Sequence, residues 1–438
     1  MRYVLFATAG HVDHGKTSLI KSLTGTDTDR LPEEKKRGLS IDIGFAYLDF
    51  PRIGVRLELI DVPGHERYIK NAVAGLSSVE GLLLVVDAGE GVMPQTVEHV
   101  KVAVALGVRR GVAVLTKIDR VDEELLEIAR EELREFLRKE DLDFPIVPVS
   151  VKEGEGLDEL KGRLEEVLMG VDEAKVERPL RVFVDSSFVV RGYGTVLRGS
   201  CVEGRVREGD RVVVEPLGVW ARVRKLQNHG VFVKEAVAGE RVALNLPEVE
   251  ASAVERGFWV LEPDSYERSS VLLIGSDGHL RPGKLYTFFM GMREVRGRLG
   301  SVGEGVYTLR TMGDVVVRRG DRFIVLNPEG RFLGGGEVLH PKPRVLKKRF
   351  IKSHLRSLKE CFEAYVLLEE GGEGLTPSFL RKLTGRLPSE NVLKKEGIRI
   401  GERYYSKIFV ERLRERLETL LRQEIVKRSY GVERAWLC

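Results

Sequence analysis

Residues 7–23 read ATAGHVDHGKTSLIKSL, and the run from 10 to 17, GHVDHGKT, decides the fold class. It fits GxxxxGK[ST], follows the apolar stretch VLFATA (4–9) and opens a helical pattern at Lys16. A strand that turns on glycines into a helix aims consecutive backbone amides and the helix N-terminus at phosphate charge. In that context Lys16 reaches the β/γ oxygens and the Thr17 hydroxyl meets Mg2+. A phosphate site built from Gly10, His11, Val12, Asp13, His14, Gly15, Lys16, Thr17 and Ser18 is therefore expected. His11 and His14 are read as either packing or supporting residues, and Asp13 as an aid to phosphate or cation binding.

Outward from that loop, strand-like runs (VRLELIDVPG, GLLLVVDAG, GVAVLTKID, FPIVPVS) alternate with helical segments such as EELLEIAREELREFLRKE. The alternation predicts a mostly parallel sheet wound on both faces, an α/β nucleotide-binding domain over 1–172. Short β-rich runs broken by glycine follow, and they predict two β-barrels, over 178–263 and 265–343. From 348 to 438 the pattern turns helical, and IKSHLRSLKECFEAYVLLEE (351–370) reads as one amphipathic helix. Thr376-Pro377 signals a helix start, and IRIGERYYS reads as a hairpin around Gly401, which together give the order of a winged helix.

The loops after successive strands carry further chemistry. Asp61, in DVPGH, can hold magnesium, and Gly64 lets backbone approach a γ-phosphate. Thr116-Lys117-Ile118-Asp119 supplies a base reader. The Lys117 stem can lie along a purine, and the Asp119 carboxylate can accept from the imino and amino groups of guanine, a donor pair adenine lacks. Ser150, Val151 and Lys152 close the pocket, with a backbone amide for the guanine carbonyl. GTP with Mg2+ is the expected cofactor set.

Composition narrows the class. Charged residues make up 32% of 438, against three glutamines and five asparagines, a balance of heat-adapted proteins. Cys201, Cys361 and Cys438 have no metal-ligand spacing, and no apolar run approaches a membrane span, so a cytoplasmic, monomeric protein without membrane contact is expected. Charge is uneven: from Pro341 to Cys438, 23 lysines and arginines face 13 acids, whereas the first 340 residues hold 48 against 54. A basic tail after an acidic body points to nucleic acid or ribosome contact.

GHVDHGKT, DVPGHERYI (61–69), GVMPQTVEHV (91–100) and TKID (116–119) together resemble elongation factor Tu and its relatives among the translational GTPases. DTDRLPEEKKRGLSIDIGFAY (27–47) resembles the selenocysteine-specific branch most. The resemblance is dense over 1–170, looser over both barrels and weakest in the tail. It implies that His65 orients the attacking water once the ribosome swings it inward, between gate residues Val12 and Ile41. It makes Ser40, where relatives have threonine, the switch ligand of magnesium beside Thr17 and Asp61. Thr116 stands where relatives have asparagine. Loss of the γ-phosphate is expected to release residues around 27–45.

For cargo, the resemblance implies a polar, positively charged aminoacyl pocket made by Phe45, Asp185, Ser186 and Arg241. Ser186 replaces an arginine of that branch, and Gln227 stands where a histidine is common. A selenol is largely ionised near neutral pH, so cations there would favour selenocysteine over serine. The expected function is a GTP-hydrolysing factor that delivers selenocysteinyl-tRNA to the ribosome at recoded UGA codons. Bacterial members also bind a messenger hairpin through later winged-helix modules, and the basic tail is the candidate for that contact. The alternative is a paralogous RNA- or ribosome-binding regulatory GTPase with no preference for selenocysteinyl-tRNA.

Overall fold

The computed structural model describes residues 1–29, 40, 42–64, 69–170, 175–276, 278, 280–369, 372–388 and 390–435. The first part alternates β1 (Arg2–Ala9), α1 (Lys16–Thr24), β2 (Gly44–Phe50), β3 (Val55–Asp61), α2 (Ile69–Leu76), β4 (Gly81–Asp87), α3 (Pro94–Ala105), β5 (Gly111–Thr116), α4 (Glu123–Lys139), β6 (Ile146–Val149) and α5 (Leu157–Met169). The strands lie in the order β2-β3-β1-β4-β5-β6, all parallel except β2, which runs against β3. Every residue of β4, GLLLVVD, is buried, as a strand covered on both faces requires. α4 shows how local sequence makes the covering layer. The Asp122 carboxylate accepts from Leu125 N at 2.9 Å, and Ala129, Leu133 and Leu137 form one buried stripe.

The next strands are β7 (Arg181–Val190), β8 (Gly194–Glu203), β9 (Arg205–Arg207), β10 (Arg211–Glu215), β11 (Val219–Arg222), β12 (Lys225–Asn228), β13 (Val231–Val233), β14 (Glu235–Val237), β15 (Arg241–Asn245) and β16 (Trp259–Leu261). Eight of them form one antiparallel sheet around a single apolar core, and β9 pairs with β14 as a separate ribbon. A closed barrel then uses β17 (Arg268–Ser276), β18 (Leu285–Met290), β19 (Arg293–Gly303), β20 (Val306–Val316), β21 (Arg322–Leu326) and β22 (Phe332–His340). Phe289, Ile324 and Leu326 of this second barrel share an apolar cluster with Val102 and Ala103 of α3.

The tail holds α6 (Lys348–Ser353), α7 (Leu355–Glu360), α8 (Phe362–Glu369), α9 (Pro377–Thr384), α10 (Glu390–Glu396), the hairpin β23 (Gly397–Ile400) and β24 (Arg403–Ser406), and α11 (Lys407–Ala435). The single amphipathic helix expected from IKSHLRSLKECFEAYVLLEE is three short ones. Ser353 Oγ donates to the Phe350 carbonyl at 2.9 Å and His354 Nδ1 lies 2.9 Å from the same oxygen. Such local side-chain bonds compete with the helical ladder. Thr376 caps α9 through Phe379 N at 3.2 Å, and Gly385 ends it in the left-handed region at φ 75°. Ile351, Leu358, Tyr365 and Leu383 pack with Leu273, Val302 and Leu339 of the second barrel, so tail and barrel share one core. The fold class read from the sequence holds: a P-loop GTPase domain, two β-barrel domains and a winged-helix tail. Among the described residues no helix is long and apolar enough to cross a membrane.

Candidate functional site

Ligands of open parallel sheets bind beyond the C-terminal strand ends. The loops named from the sequence lie there: Gly10 after β1, Asp61–Gly64 at the end of β3, Thr116 at the end of β5 and Ser150 after β6. Gly10 sits at φ 139°, where a Cβ would collide with the Val85 carbonyl oxygen of β4. Asp13 adopts the left-handed region at φ 61°, and Gly15, also left-handed, delivers the chain into α1. Ser18 is exposed on the first turn of α1.

Lys16 folds back over this loop. Its Nζ donates to Gly10 O at 3.1 Å and to His11 O at 2.6 Å, and the side chain is buried. Burial lowers its pKa to about 8, against the raising influence of Asp61 and Asp13. Gly64 lies against Lys16 and Val12, where a Cβ would meet Val12 N at 2.8 Å.

On the cation side, Thr17 Oγ1 donates to Asp61 Oδ2 at 2.8 Å and lies 3.1 Å from Ser40 Oγ. The Ser40 hydroxyl donates to Asp29 Oδ1 at 2.8 Å. Asp61 also accepts from Thr8 at 3.0 Å and Thr28 at 2.6 Å. Thr17, Ser40 and Asp61 thus meet at one point, and hydroxyl plus carboxylate oxygens are the hard donors Mg2+ takes. His65 and Ile41 lie outside the described residues.

At the base end, Ser150 Oγ donates to Asp119 Oδ1 at 2.7 Å, which holds that carboxyl below its ordinary pKa. Lys117, at φ 57°, places Nζ 2.7 Å from Asp87 Oδ2. Val151 packs on the core beneath, and exposed Lys152 pairs with Glu153 at 2.9 Å. The Thr116 hydroxyl donates to the His14 carbonyl at 2.7 Å, tying the loop after β1 to the end of β5 with a bond that spans 102 residues.

The sequence left His11 and His14 between a packing and a supporting role, and the contacts of His14 are those of a support. Its ring is buried: Nδ1 accepts from Asp87 N at 3.2 Å, and Nε2 lies 3.2 Å from Glu90 Oε2. Burial lowers its pKa, consistent with a neutral ring that accepts at Nδ1 and donates to Glu90. His14 is a strut between the phosphate loop and Asp87, the partner of Lys117. Replacing it with alanine should weaken GDP binding roughly tenfold through faster release, the effect of about 1–2 kcal/mol of lost buried hydrogen bonds. Stopped-flow release of a fluorescent GDP would read it, and a change under about twofold would contradict the strut.

Gln95 and His99 of α3 were also missed. Val12 N–H donates to Gln95 Oε1 at 3.2 Å and Gly10 N–H to His99 Nδ1 at 3.3 Å. Burial holds His99 neutral, its pKa lowered to about 3. Both residues lie in GVMPQTVEHV, but nothing in that run says which loop they face. His11 stacks edge-on with His14 at 5.2 Å between ring centroids.

A second site lies between β2 and the first barrel. A cavity of about 370 Å3 is lined by Phe45, Tyr47, Arg198, Gln227, His229 and Arg241, among others. Arg241 donates to both oxygens of Asp185, at 2.6 and 3.1 Å, and Ser186 Oγ donates to Asp185 Oδ1 at 2.9 Å. The guanidinium carbon of Arg241 lies 3.1 Å from the Phe45 ring centroid. Arg198 and His229 were not foreseen as members of this site.

The family description "Elongation factor Tu GTP binding domain" matches residues 1–173, "Elongation factor Tu domain 2" matches 194–261, and "Elongation factor SelB, first winged-helix domain" matches 345–401. The chain is 40% identical over 402 residues to a selenocysteine-specific elongation factor of Desulfomicrobium baculatum, covering 87% of this chain and 63% of that one. It therefore spans under two thirds of that relative's length. A crystal structure of a bacterial selenocysteine-specific elongation factor, EF-Sec, superimposes with a TM-score of 0.94 at 58% identity, covering 97% of this chain and 73% of that one. The elongation factor SelB of Methanococcus maripaludis, crystallised with the GTP analogue GPPNHP, superimposes with a TM-score of 0.69 at 25% identity, over 78% of this chain and 80% of that one.

Proposed function

Because the chain belongs to the selenocysteine-specific elongation factors, within the elongation factor Tu-like GTPases, we propose that it is a GTP-driven carrier of selenocysteinyl-tRNA to the ribosome at recoded UGA codons. One observation carries this reading. Phe45, five residues after Ser40, lies against the Arg241 guanidinium at the mouth of the barrel cavity. A segment that senses the cation and γ-phosphate is continuous with a wall of the cargo pocket, so loss of phosphate can open that pocket. A regulatory GTPase without aminoacyl cargo would have no use for such a coupling.

In the nucleotide site, Lys16 and the amides of Gly10 to Thr17 cradle the phosphates, and Asp119 and Lys117 read guanine. Mg2+, held by Thr17, Ser40 and Asp61, would neutralise charge that develops between the β- and γ-phosphates. His65 is assigned to orient the attacking water, with Val12 and Ile41 as its gate and the ribosome as the stimulus. The protein acts in the cytosol as a monomer, and its basic tail meets RNA, the messenger hairpin being the candidate.

Filter binding of the GTP-loaded protein to one tRNA charged with selenocysteine or with serine tests the reading. A clear preference for the selenocysteinyl form is expected, lost when GDP replaces GTP. Equal affinity for the two charged forms would sink it.

A further inference from the structure

Residues 317–321 link β20 to β21, and two consecutive arginines in this turn reach different parts of the molecule. Arg318 Nη1 donates at 2.6 Å to Glu203, at the end of β8 in the first barrel. Arg319 serves the tail: its amide donates to Leu383 O of α9 at 2.7 Å, and its guanidinium to Leu358 O and Lys359 O of α7 at 2.7 and 2.9 Å. Beside the turn, where both barrels and the tail meet, lies a cavity of about 360 Å3. Arg178, Arg318, Arg319 and Arg386 line it, together with Glu203, Asp321, Glu360 and Glu363.

These four acids do not neutralise the four arginines, because cations outside the cavity draw on three of them. Arg181 donates to both oxygens of Asp321, at 2.9 and 2.8 Å, and lies 3.6 Å from Glu203. Arg178 donates to Glu203 as well, at 2.6 Å, so Arg178, Arg181 and Arg318 share two carboxylates. Exposed Glu360 is engaged by Arg356 at 2.8 Å. The hydrogen bonds of Arg319 go to carbonyls, which satisfy its donors without cancelling its charge, and its carboxylate neighbours are Glu337 and Glu363. Arg386 is exposed at the rim and makes no ion pair among the described residues. The Arg318 side chain is only 3% exposed, and its buried Nε has no hydrogen-bond partner among the described residues. An orphaned buried donor marks a missing acceptor. Surplus positive charge around it selects an acceptor that is an anion.

We infer that this junction binds a small free oxyanion of the phosphate class, held by Arg178, Arg318 and Arg386, which ties the two barrels to the tail. Guanidinium forks present several donors to the oxygens of a tetrahedral dianion, so Arg178 and Arg318 can engage it while keeping Glu203. The depth of Arg318 favours a free anion over a phosphate within an RNA strand, whose flanking sugars would have to enter the cavity as well. Residues from both barrels and the tail build the site, so its occupancy favours the docked arrangement of all three. The inference goes beyond the proposed function and is independent of the cargo.

Calorimetric titration of inorganic phosphate, and of sulfate as a second tetrahedral dianion, into the full chain saturated with GDP and Mg2+ tests this, since nucleotide then fills the phosphate loop. One site with Kd of about 1 mM or tighter is expected. Arg386→Ala, at an exposed position, should weaken it about fivefold and Arg386→Glu at least about twentyfold, whereas Arg416→Ala on the exposed α11 should leave it unchanged. Phosphate should raise the unfolding temperature of the native protein more than that of either Arg386 variant. Absence of saturable binding below about 10 mM would overturn the inference. So would equal binding by the native and Arg386→Glu proteins. Competitive displacement of phosphate by a short single-stranded RNA would overturn the assignment to a free anion.

Discussion

Replacing Lys16 with methionine should lower affinity for GDP and GTP by at least about a hundredfold, because several charge-assisted hydrogen bonds are lost in a buried site at about 1.5–3 kcal/mol each. The native protein should show the same residue in its pH dependence. Lys16 is buried on the Gly10 and His11 carbonyls and its pKa falls to about 8. The sign follows from which state holds the proton. Between pH 8 and the ordinary lysine value near 10.4, the unfolded chain binds more protons at this position, so stability of the nucleotide-free protein rises with pH there. An arriving phosphate favours the charged amine, so nucleotide binding takes up a proton above pH 8. GDP affinity should then fall with a slope approaching tenfold per pH unit. Calorimetric titration in two buffers of different ionisation enthalpy would show proton uptake at pH 9, little at pH 7, and none in Lys16→Met. Equal uptake at both values, or none at pH 9, would show that Lys16 is not the titrating group.

Replacing Asp321 with alanine should cost about 3 kcal/mol of stability, the penalty for leaving the buried Arg181 guanidinium without its main partner, Asp321 itself being only half-buried. Asp321 accepts from Arg181 at 2.9 and 2.8 Å and from the Arg318 amide at 2.8 Å. Arg181 belongs to the first barrel and Asp321 to the second, so the pair locks the two together. Burial opposes the charge on Arg181, yet Asp321 and Glu203 override it and hold the guanidinium protonated. Burial and the neighbouring Arg181 lower Arg318 to about 10, although its Nη1 reaches Glu203 at 2.6 Å. Without Asp321, Arg181 keeps only Glu203, at 3.6 Å, which it shares with Arg178 and Arg318. Denaturant unfolding followed by tryptophan emission is a suitable probe, since Trp259 carries Arg181 at 4.3 Å over its ring. The paired replacement Arg181→Met/Asp321→Leu should recover most of the loss, as apolar pairs often do. A single-variant loss below about 1 kcal/mol would mean the cluster is effectively solvated.

The proposed nucleotide site could be named from the sequence because its motifs are local. A phosphate loop needs contiguous amides, a glycine turn and a helix start, all within Gly10 to Thr17, and each further motif occupies one strand end. The supports of that loop were not legible. Gln95 and His99 stand in a run whose pattern is visible, but their partners lie 83 and 89 residues away, and only the packing of α3 beside β1 brings them in. The tail shows the same limit on a smaller scale. Apolar periodicity argued for one helix, whereas Ser353 and His354 bond back to Phe350 and divide it.

By itself, then, the sequence determined the element types and the order of the domains and nominated the residues proposed for phosphate and guanine, because these depend on neighbours along the chain. Only the tertiary structure decided how the charges between β2 and the first barrel pair. That outcome depends on the bulge at Asp185 and on β2 bringing Phe45 against Arg241. Charge pairing is a property of distances between strands far apart in sequence, and no spacing within the sequence encodes it directly.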